Sequence, residues 1–269
     1  MQYFKRRFKM GRFIIFVTAV VALTVFFSIR AAGQTPDTTK AIHNKIKVQP
    51  FANVSLVSQY LWRGTMLDGK PNIQPLLGLG IGGFEVGVFG SVSVLNPYRE
   101  ADLYASYTYK FFKLTVTDFF IDSGFTKKSN YFDYSKSAMG HTIVCDLTFL
   151  GTKKFPVKIM ASTVLYGGLD SKDSANSFKS RYTTYLEARW LHKGWEVFAG
   201  VITGQSSFYF NVLDKDGKNY VTGKFGIVNV GVAYTYNIVI SDKYSVPVFA
   251  QASANPQMNK FYFTFGVTF

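Results

Sequence analysis

Cysteine, histidine and long apolar runs are what this chain has least of. One cysteine, Cys145, in 269 residues excludes an internal disulfide framework and leaves no partner for a cysteine-based metal cluster. The three histidines, His43, His141 and His192, are scattered, and no GxSxG or HExxH accompanies them. They make no metal site, and neither a metal nor a cofactor is expected. After Gly33 no run of about 18 apolar residues occurs, so helices are not expected to span a membrane. Acids are also few, 16 against 30 Lys and Arg, for a formal charge of +14. This excess does not point to nucleic acid, because the basic residues form no aromatic-interleaved stripe.

Much of the positive charge sits in one place. Lys5, Arg6, Arg7, Lys9 and Arg12 precede an uncharged apolar run from Phe13 to Ser28, and Ala31, Ala32 and Gly33 follow. A basic head, an apolar core and small residues read as a secretory signal peptide over residues 1–33. Its removal takes six basic residues and no acid, lowering the formal charge to +8. Export removes the chain from nucleic acid as well. Residues 34–50, QTPDTTKAIHNKIKVQP, are polar without sustained periodicity and read as a flexible periplasmic arm.

What is abundant is aromatic residues, 17% of the chain, and alternation. Residues 51–269 break into segments of about the 9 to 11 residues that a tilted strand needs to cross hydrocarbon. Twelve are expected: Ala52–Arg63, Asn72–Ile81, Phe84–Leu95, Glu100–Tyr109, Lys113–Phe120, Ala138–Leu150, Pro156–Tyr166, Arg181–Leu191, Trp195–Gln205, Gly226–Asn237, Val246–Ala254 and Lys260–Phe269. Short and long connections mostly alternate between them, as in outer-membrane barrels with periplasmic turns and outer loops. Two exceptions are NIVISDKYS, long for a periplasmic turn, and the brief outer NPQMN. The fold class predicted is all-β, an up-and-down antiparallel transmembrane β-barrel of about 12 strands. Such a chain meets outer-membrane lipid, and basic pairs such as Lys127, Lys128 and Lys153, Lys154 suit lipid phosphates at the two rims.

Lys or Arg at the midplane of a barrel's lipid face costs roughly 2 to 4 kcal/mol, so charges should share the inward face. In Glu100–Tyr109, Glu100, Asp102, Ser106 and Thr108 alternate with Ala101, Leu103, Ala105, Tyr107 and Tyr109. In Arg181–Leu191, Arg181, Thr183, Tyr185, Glu187 and Arg189 oppose Tyr182, Thr184, Leu186, Ala188 and Trp190. Lys113, Lys158, Asp146 and Glu196 complete a roughly balanced inward set, which predicts weak charge selectivity. Cys145 shares a face with Ile143, Leu147 and Phe149 and reads as a small outward hydrophobe. Lumen or constriction candidates are Arg63, Glu100, Asp102, Glu187 and Arg189, with Arg63 expected to face the two acids across the outer mouth. Tyr60, Trp62, Trp190 and Trp195 are expected in an aromatic girdle at the interfaces. A 12-stranded barrel lies between 8-stranded barrels filled by side chains and 16-stranded open porins.

The final strand carries Phe261, Phe263, Phe265, Val267 and Phe269 on one face and Tyr262, Thr264, Gly266 and Thr268 on the other. It resembles the C-terminal targeting strand of bacterial outer-membrane barrels, which the barrel-assembly machinery reads. VSQYLWRG at Val57–Gly64, followed by Asp68, Gly69, Lys70, Pro71 and Gln74, resembles the opening of the TorF-type porin family of Gram-negative outer-membrane proteins. FEVGVFGS at Phe84–Ser91 and Glu100, Asp102, Tyr104 and Tyr107 are similar to its next blocks, with Phe89 where the family pattern has Trp. The resemblance implies a barrel in the cell outer membrane and a passive diffusion channel for small solutes. The alternatives are a plugged structural or adhesive barrel, and a lipid-modifying enzyme with His141, near Ser135 and Ser137, as base. Without a motif around His141, no enzymatic activity is expected. DKDG at Asp214–Gly217 reads as a surface turn rather than a calcium loop.

Overall fold

Alternation of period two needs a partner on each edge, and here the chain supplies both by closing on itself. The computed structural model describes residues 47–122, 130–134, 140–167, 181–204, 206, 208–210, 212–213, 220–221 and 225–269. The expected signal peptide, most of the expected arm, His43, Lys127, Lys128, Ser135, Ser137 and the DKDG loop lie outside the described residues. Sixteen strands are present among those described: β1 Val48–Val57, β2 Tyr60–Trp62, β3 Thr65–Asp68, β4 Asn72–Ile81, β5 Phe84–Ser93, β6 Arg99–Tyr109, β7 Phe112–Asp122 and β8 His141–Phe149. The rest are β9 Val157–Gly167, β10 Thr184–His192, β11 Trp195–Ile202, β12 Val212–Leu213, β13 Tyr220–Val221, β14 Gly226–Ser241, β15 Tyr244–Asn255 and β16 Lys260–Thr268. Twelve of them form a closed antiparallel barrel, and β2 with β3 and β12 with β13 form two small hairpins apart from it.

The seam lies between the first and last wall strands. β1 pairs with β4 along its whole length, Val48 opposite Ile81 and Val57 opposite Asn72, but with β16 only from Ser55 to Val57. The backbones of Val54 and Phe269 exchange hydrogen bonds of 3.0 and 2.9 Å at the seam's end. The residues before Val54 therefore have an open edge. Pro50 sits on it without penalty: Val54 and Ser58 point their N–H groups toward β16, so the N–H that Pro50 lacks would point to the same, unpaired side. Residues 48–50, expected in the arm, thus belong to the wall.

One end of the barrel carries short turns at 82–83, 110–111, 150–156, 193–194 and 242–243, and the other carries the longer connections. Lys193 at φ 47° and Gly194 at φ 86° supply the two left-handed residues of a tight hairpin. The stretch expected to be a long turn, NIVISDKYS, is strand on both sides of Asp242 and Lys243. Alternation of exposed Val230, Val232, Tyr234 and Tyr236 with less exposed residues ends there, and the strand runs on past polar Asn237 with every residue to Ser241 exposed and a register shift between Val239 and Ser241.

Inward glycines decide how rings pack in the wall. Gly78 is paired with Phe51, Gly87 with Tyr104, Gly231 with Phe198 and Gly266 with Phe249. In each pair the ring occupies the space a Cβ on the glycine would take. The outward face is apolar, with Leu77, Leu79, Val86, Val88, Leu103, Leu114, Val116 and Leu147 exposed. Cys145 lies on that face beside Leu147, and Asp146 between them points inward.

The first strand departs most from expectation. It leaves the wall after Val57 rather than at Arg63, and Tyr60–Arg63, expected in the wall, join Gly64–Asp68, expected in an outer loop, to turn back into the barrel as the β2–β3 hairpin.

Candidate functional site in the lumen

The β2–β3 hairpin, nine residues long, reaches wall strands on opposite sides of the barrel. Tyr60 packs against Phe89 of β5, Trp62 against Phe119 of β7, Arg63 bonds to β8 and β9, and Gly64 lies against Val228 of β14. A segment this short makes all these contacts only from inside. Its turn is Arg63–Gly64, with φ of 50° and 79° between the paired residues Trp62 and Thr65. That is the two-residue, left-handed turn whose twist suits a hairpin. A Cβ on Gly64 would overlap the Val228 carbonyl oxygen, so the tip comes to rest backbone to backbone.

Arg63 is the hairpin's main anchor. Its Nη1 donates to Ser162 Oγ at 2.5 Å and its Nη2 to Asp146 Oδ2 at 2.9 Å. The guanidinium lies over the Trp62 ring at 4.5 Å from the centroid and near Tyr185 at 5.4 Å. The expected pairing with Glu100 and Asp102 is not made. Those acids sit on β6 near Tyr60, at the start of the hairpin, whereas the turn carries Arg63 across the lumen to β8 and β9. Glu100 instead accepts hydrogen bonds from Tyr98 and, at 3.4 Å, from Tyr60, while Asp102 accepts the Phe120 amide at 3.2 Å.

Tyr60 and Trp62 therefore do not belong to an outward girdle. The chain leaves the sheet before reaching them, so the period-two phase of β1 no longer governs where they point. Trp62 stacks on Tyr209 at 6.0 Å and 20°, and Tyr209 stacks on Tyr185 at 5.7 Å and 8°. Tyr185, Ile202, Tyr209, Phe210 and Val228 make a buried cluster with Trp62, Met160 and Phe208 against it. Asn255 ties the hairpin tip and Tyr209 to β15, its Nδ2 donating to the carbonyls of Gly64 at 3.1 Å and Tyr209 at 3.3 Å. Trp190 and Trp195 lie outward at the short-turn end, Trp195 beside Tyr234. Phe261, Phe263, Phe265 and Phe269 are outward and exposed, and Val267 shares their parity.

At the long-loop mouth, Asp68 accepts from Asn72 Nδ2 at 2.9 Å and Asn96 Nδ2 at 2.6 Å. Burial pushes its carboxyl up, but hydrogen bonds from Ser93, Asn96 and Asn72 outweigh this and leave it below the ordinary value. His141, the first residue of β8, is fully enclosed. Its Nδ1 meets Asp118 Oδ1 at 2.9 Å, its Nε2 meets the Tyr131 carbonyl at 2.6 Å, and Tyr134 stacks on the ring. Both ring nitrogens are thus engaged. The Tyr134 hydroxyl donates to Asp118 at 2.6 Å, and that bond pushes the phenol up to about 12.

Toward the short-turn end the lumen is lined by paired charges. Arg189 Nη1 donates to Glu196 Oε2 at 2.5 Å and its Nε to Glu187 Oε1 at 3.1 Å. Glu187 Oε2 also accepts from Tyr185 at 2.5 Å and Asn229 at 3.1 Å. Lys113 pairs with Glu85 at 2.6 Å. Between this level and the hairpin is a cavity of about 440 Å³, bordered by Leu61–Gly64, Lys158, Arg189 and Glu196. Among the described residues no group of three or more His, Cys, Asp or Glu is arranged to hold a metal.

Arg63, Glu187 and Arg189 thus meet in one connected region, and Glu100 and Asp102 in another. Sequence reasoning missed Glu85, Tyr98, Tyr209, Asn229 and Asn255. Glu85 was legible by phase, since it alternates with Phe84, Val86 and Val88. Tyr98, Tyr209 and Asn255 lie in or beside connections, where period gives no direction. No protein-family model matches the chain, and no curated protein matches it.

Proposed function

We propose that the chain is an outer-membrane β-barrel, exported by its N-terminal segment and inserted by the barrel-assembly machinery, whose lumen is closed on the outer side by its own hairpin. The observation that carries this reading is the Arg63–Gly64 turn, held from within by Asp146 and Ser162 on one side and Asn255 on the other. Charged groups drawn into a lumen lose hydration and are retained only when paired. Here the pairing partner of the hairpin is the wall itself. The barrel acts as a plugged structural protein with partners at its outer loops, without enzymatic activity. The girdle of Trp190 and Trp195 and the outward aromatics of β16 contact lipid.

The resemblance to TorF-type porins and the cavity below the hairpin favour a second reading, a weakly selective diffusion channel in which the hairpin is the constriction. Single-channel recording of the refolded chain from Gln34 in a planar bilayer separates the two. The plugged barrel gives a silent membrane. Replacing Tyr60–Asp68 with a short Gly-Ser linker gives discrete steps. Steps of the same size from the unaltered chain would sink the plugged reading and establish the channel, and their reversal potential in a salt gradient would measure its selectivity.

A further inference from the structure

The cavity below the hairpin has an uneven charge lining. Arg63 is committed to Asp146, and Arg189 is shared by two carboxylates, Glu187 and Glu196. One negative charge is therefore in excess around Arg189. Glu196 is the accessible one of that pair: its side chain is 32% exposed against 10% for Glu187, and only its Oε2 is engaged by Arg189. Lys158 stands directly opposite Arg189 in register on β9, borders the same cavity, and has no hydrogen bond or ion pair among the described residues. The lining thus presents a free ammonium on β9 and a free carboxylate oxygen on β11, with β10 between them. Two strand spacings and a two-residue offset along β11 separate them, roughly 12 Å at the backbone, and both side chains are long.

Each simpler ligand meets an unmatched charge. An anion at Lys158 would face Glu196, and a cation at Glu196 would face Lys158. A sugar stacking on an aromatic face finds none at Trp62, because Arg63 lies over the ring and Tyr209 stacks on it. We infer that the chamber binds a small zwitterion of dipeptide size, its carboxylate against Lys158 and its ammonium against Glu196. This rests on the hairpin being the chamber's roof.

Calorimetric titration of the folded barrel in detergent micelles tests it with three probes: alanyl-alanine, its N-acetyl derivative and its C-terminal amide. The free dipeptide should bind at least about tenfold more tightly than either blocked form, as loss of a charged hydrogen bond entails. Lys158→Met should weaken alanyl-alanine to the level of the amide, and Glu196→Gln to the level of the N-acetyl form. Unaltered heat-modifiable gel migration reports that each variant is folded. Equal binding of all three probes by the parent chain, absence of heat with alanyl-alanine, or unchanged binding in a folded Lys158→Met barrel would each overturn the inference. Conductance in the parent chain with the expected probe selectivity would overturn the plug alone, and a silent membrane without binding would overturn the site alone.

Discussion

The two halves of this lumen fill the same cylinder by different means. Near the long-loop mouth the filling is chain: the β2–β3 hairpin and the segment around Tyr209, fixed to the wall through Arg63, Asn255 and stacked rings. Near the short turns the filling is wall side chains, rings laid over glycines and charges paired along neighbouring strands, with a cavity left over. In the first half the tip's contact with the wall is backbone against backbone and cannot yield. In the second, the same space is taken by side chains that can turn. A lumen built from inserted chain is rigid and specific, and one built from wall side chains is adaptable.

The largest expected effect is at the anchor. Among the described residues Asp146 has Arg63 as its one hydrogen-bond partner, and its other oxygen is buried and unpaired. Arg63→Met strands that carboxylate and should cost about 3 to 5 kcal/mol, whereas adding Asp146→Leu should restore most of it. Urea unfolding in micelles reads both, and a double variant no better than the single one would remove the ion pair from the account. The next effect compares the halves directly. Gly64→Ala drives a Cβ into the Val228 carbonyl at a φ of 79° and should cost roughly 1 to 3 kcal/mol. The three atoms nearest a Cβ in Gly87→Ala all belong to the Tyr104 phenol, which is part-buried and can swing aside, so its cost should stay under about 1 kcal/mol. Equal costs would erase the distinction between the halves.

The same division separates what was legible in the sequence from what was not. Wherever the chain stays in the wall, parity tells inside from outside: Asp146, Lys158, Glu187, Arg189 and Glu196 all face the lumen or its cavity, as alternation predicts. All twelve wall strands overlap their expected segments, because a strand with one apolar and one polar face has a single register in which both are satisfied. At Ser58 this logic ends. VSQYLWRG keeps alternating, so Tyr60 and Trp62 read as wall residues, yet the alternation belongs to a second, shorter hairpin inside the first. The two hairpins look alike because both have period two; only the Arg-Gly pair, which can adopt the left-handed turn, marks the change. What that pair could not reveal is its partner, since Arg63 and Asp146 are brought together by barrel closure and not by local sequence.

Acid should affect the two halves unequally, and this is the smallest effect. Asp68 lies at the mouth, outside the wall strands, with its folded-state value depressed below the roughly 3.9 of an unfolded aspartate. A depressed value means that folding favours the charged form. Its contribution is complete above about pH 4 and is lost as pH falls from there through the folded value. Protonation costs the carboxylate its charge-assisted bonds to Asn72 and Asn96, which join β3 to β4 and to the β5–β6 connection, so the hairpin should loosen before the wall does. Asp68→Asn forfeits that contribution at neutral pH and should flatten the decline between pH 5 and pH 3 (set as measuring points around the usual aspartate range). Hydrogen exchange of the β2–β3 amides at those two pH values measures it: the parent chain should lose protection on acidification more than the variant does. An identical loss in both would transfer the acid sensitivity from Asp68 to other carboxylates, and the mouth would then owe its closure to Arg63 and Asn255 alone.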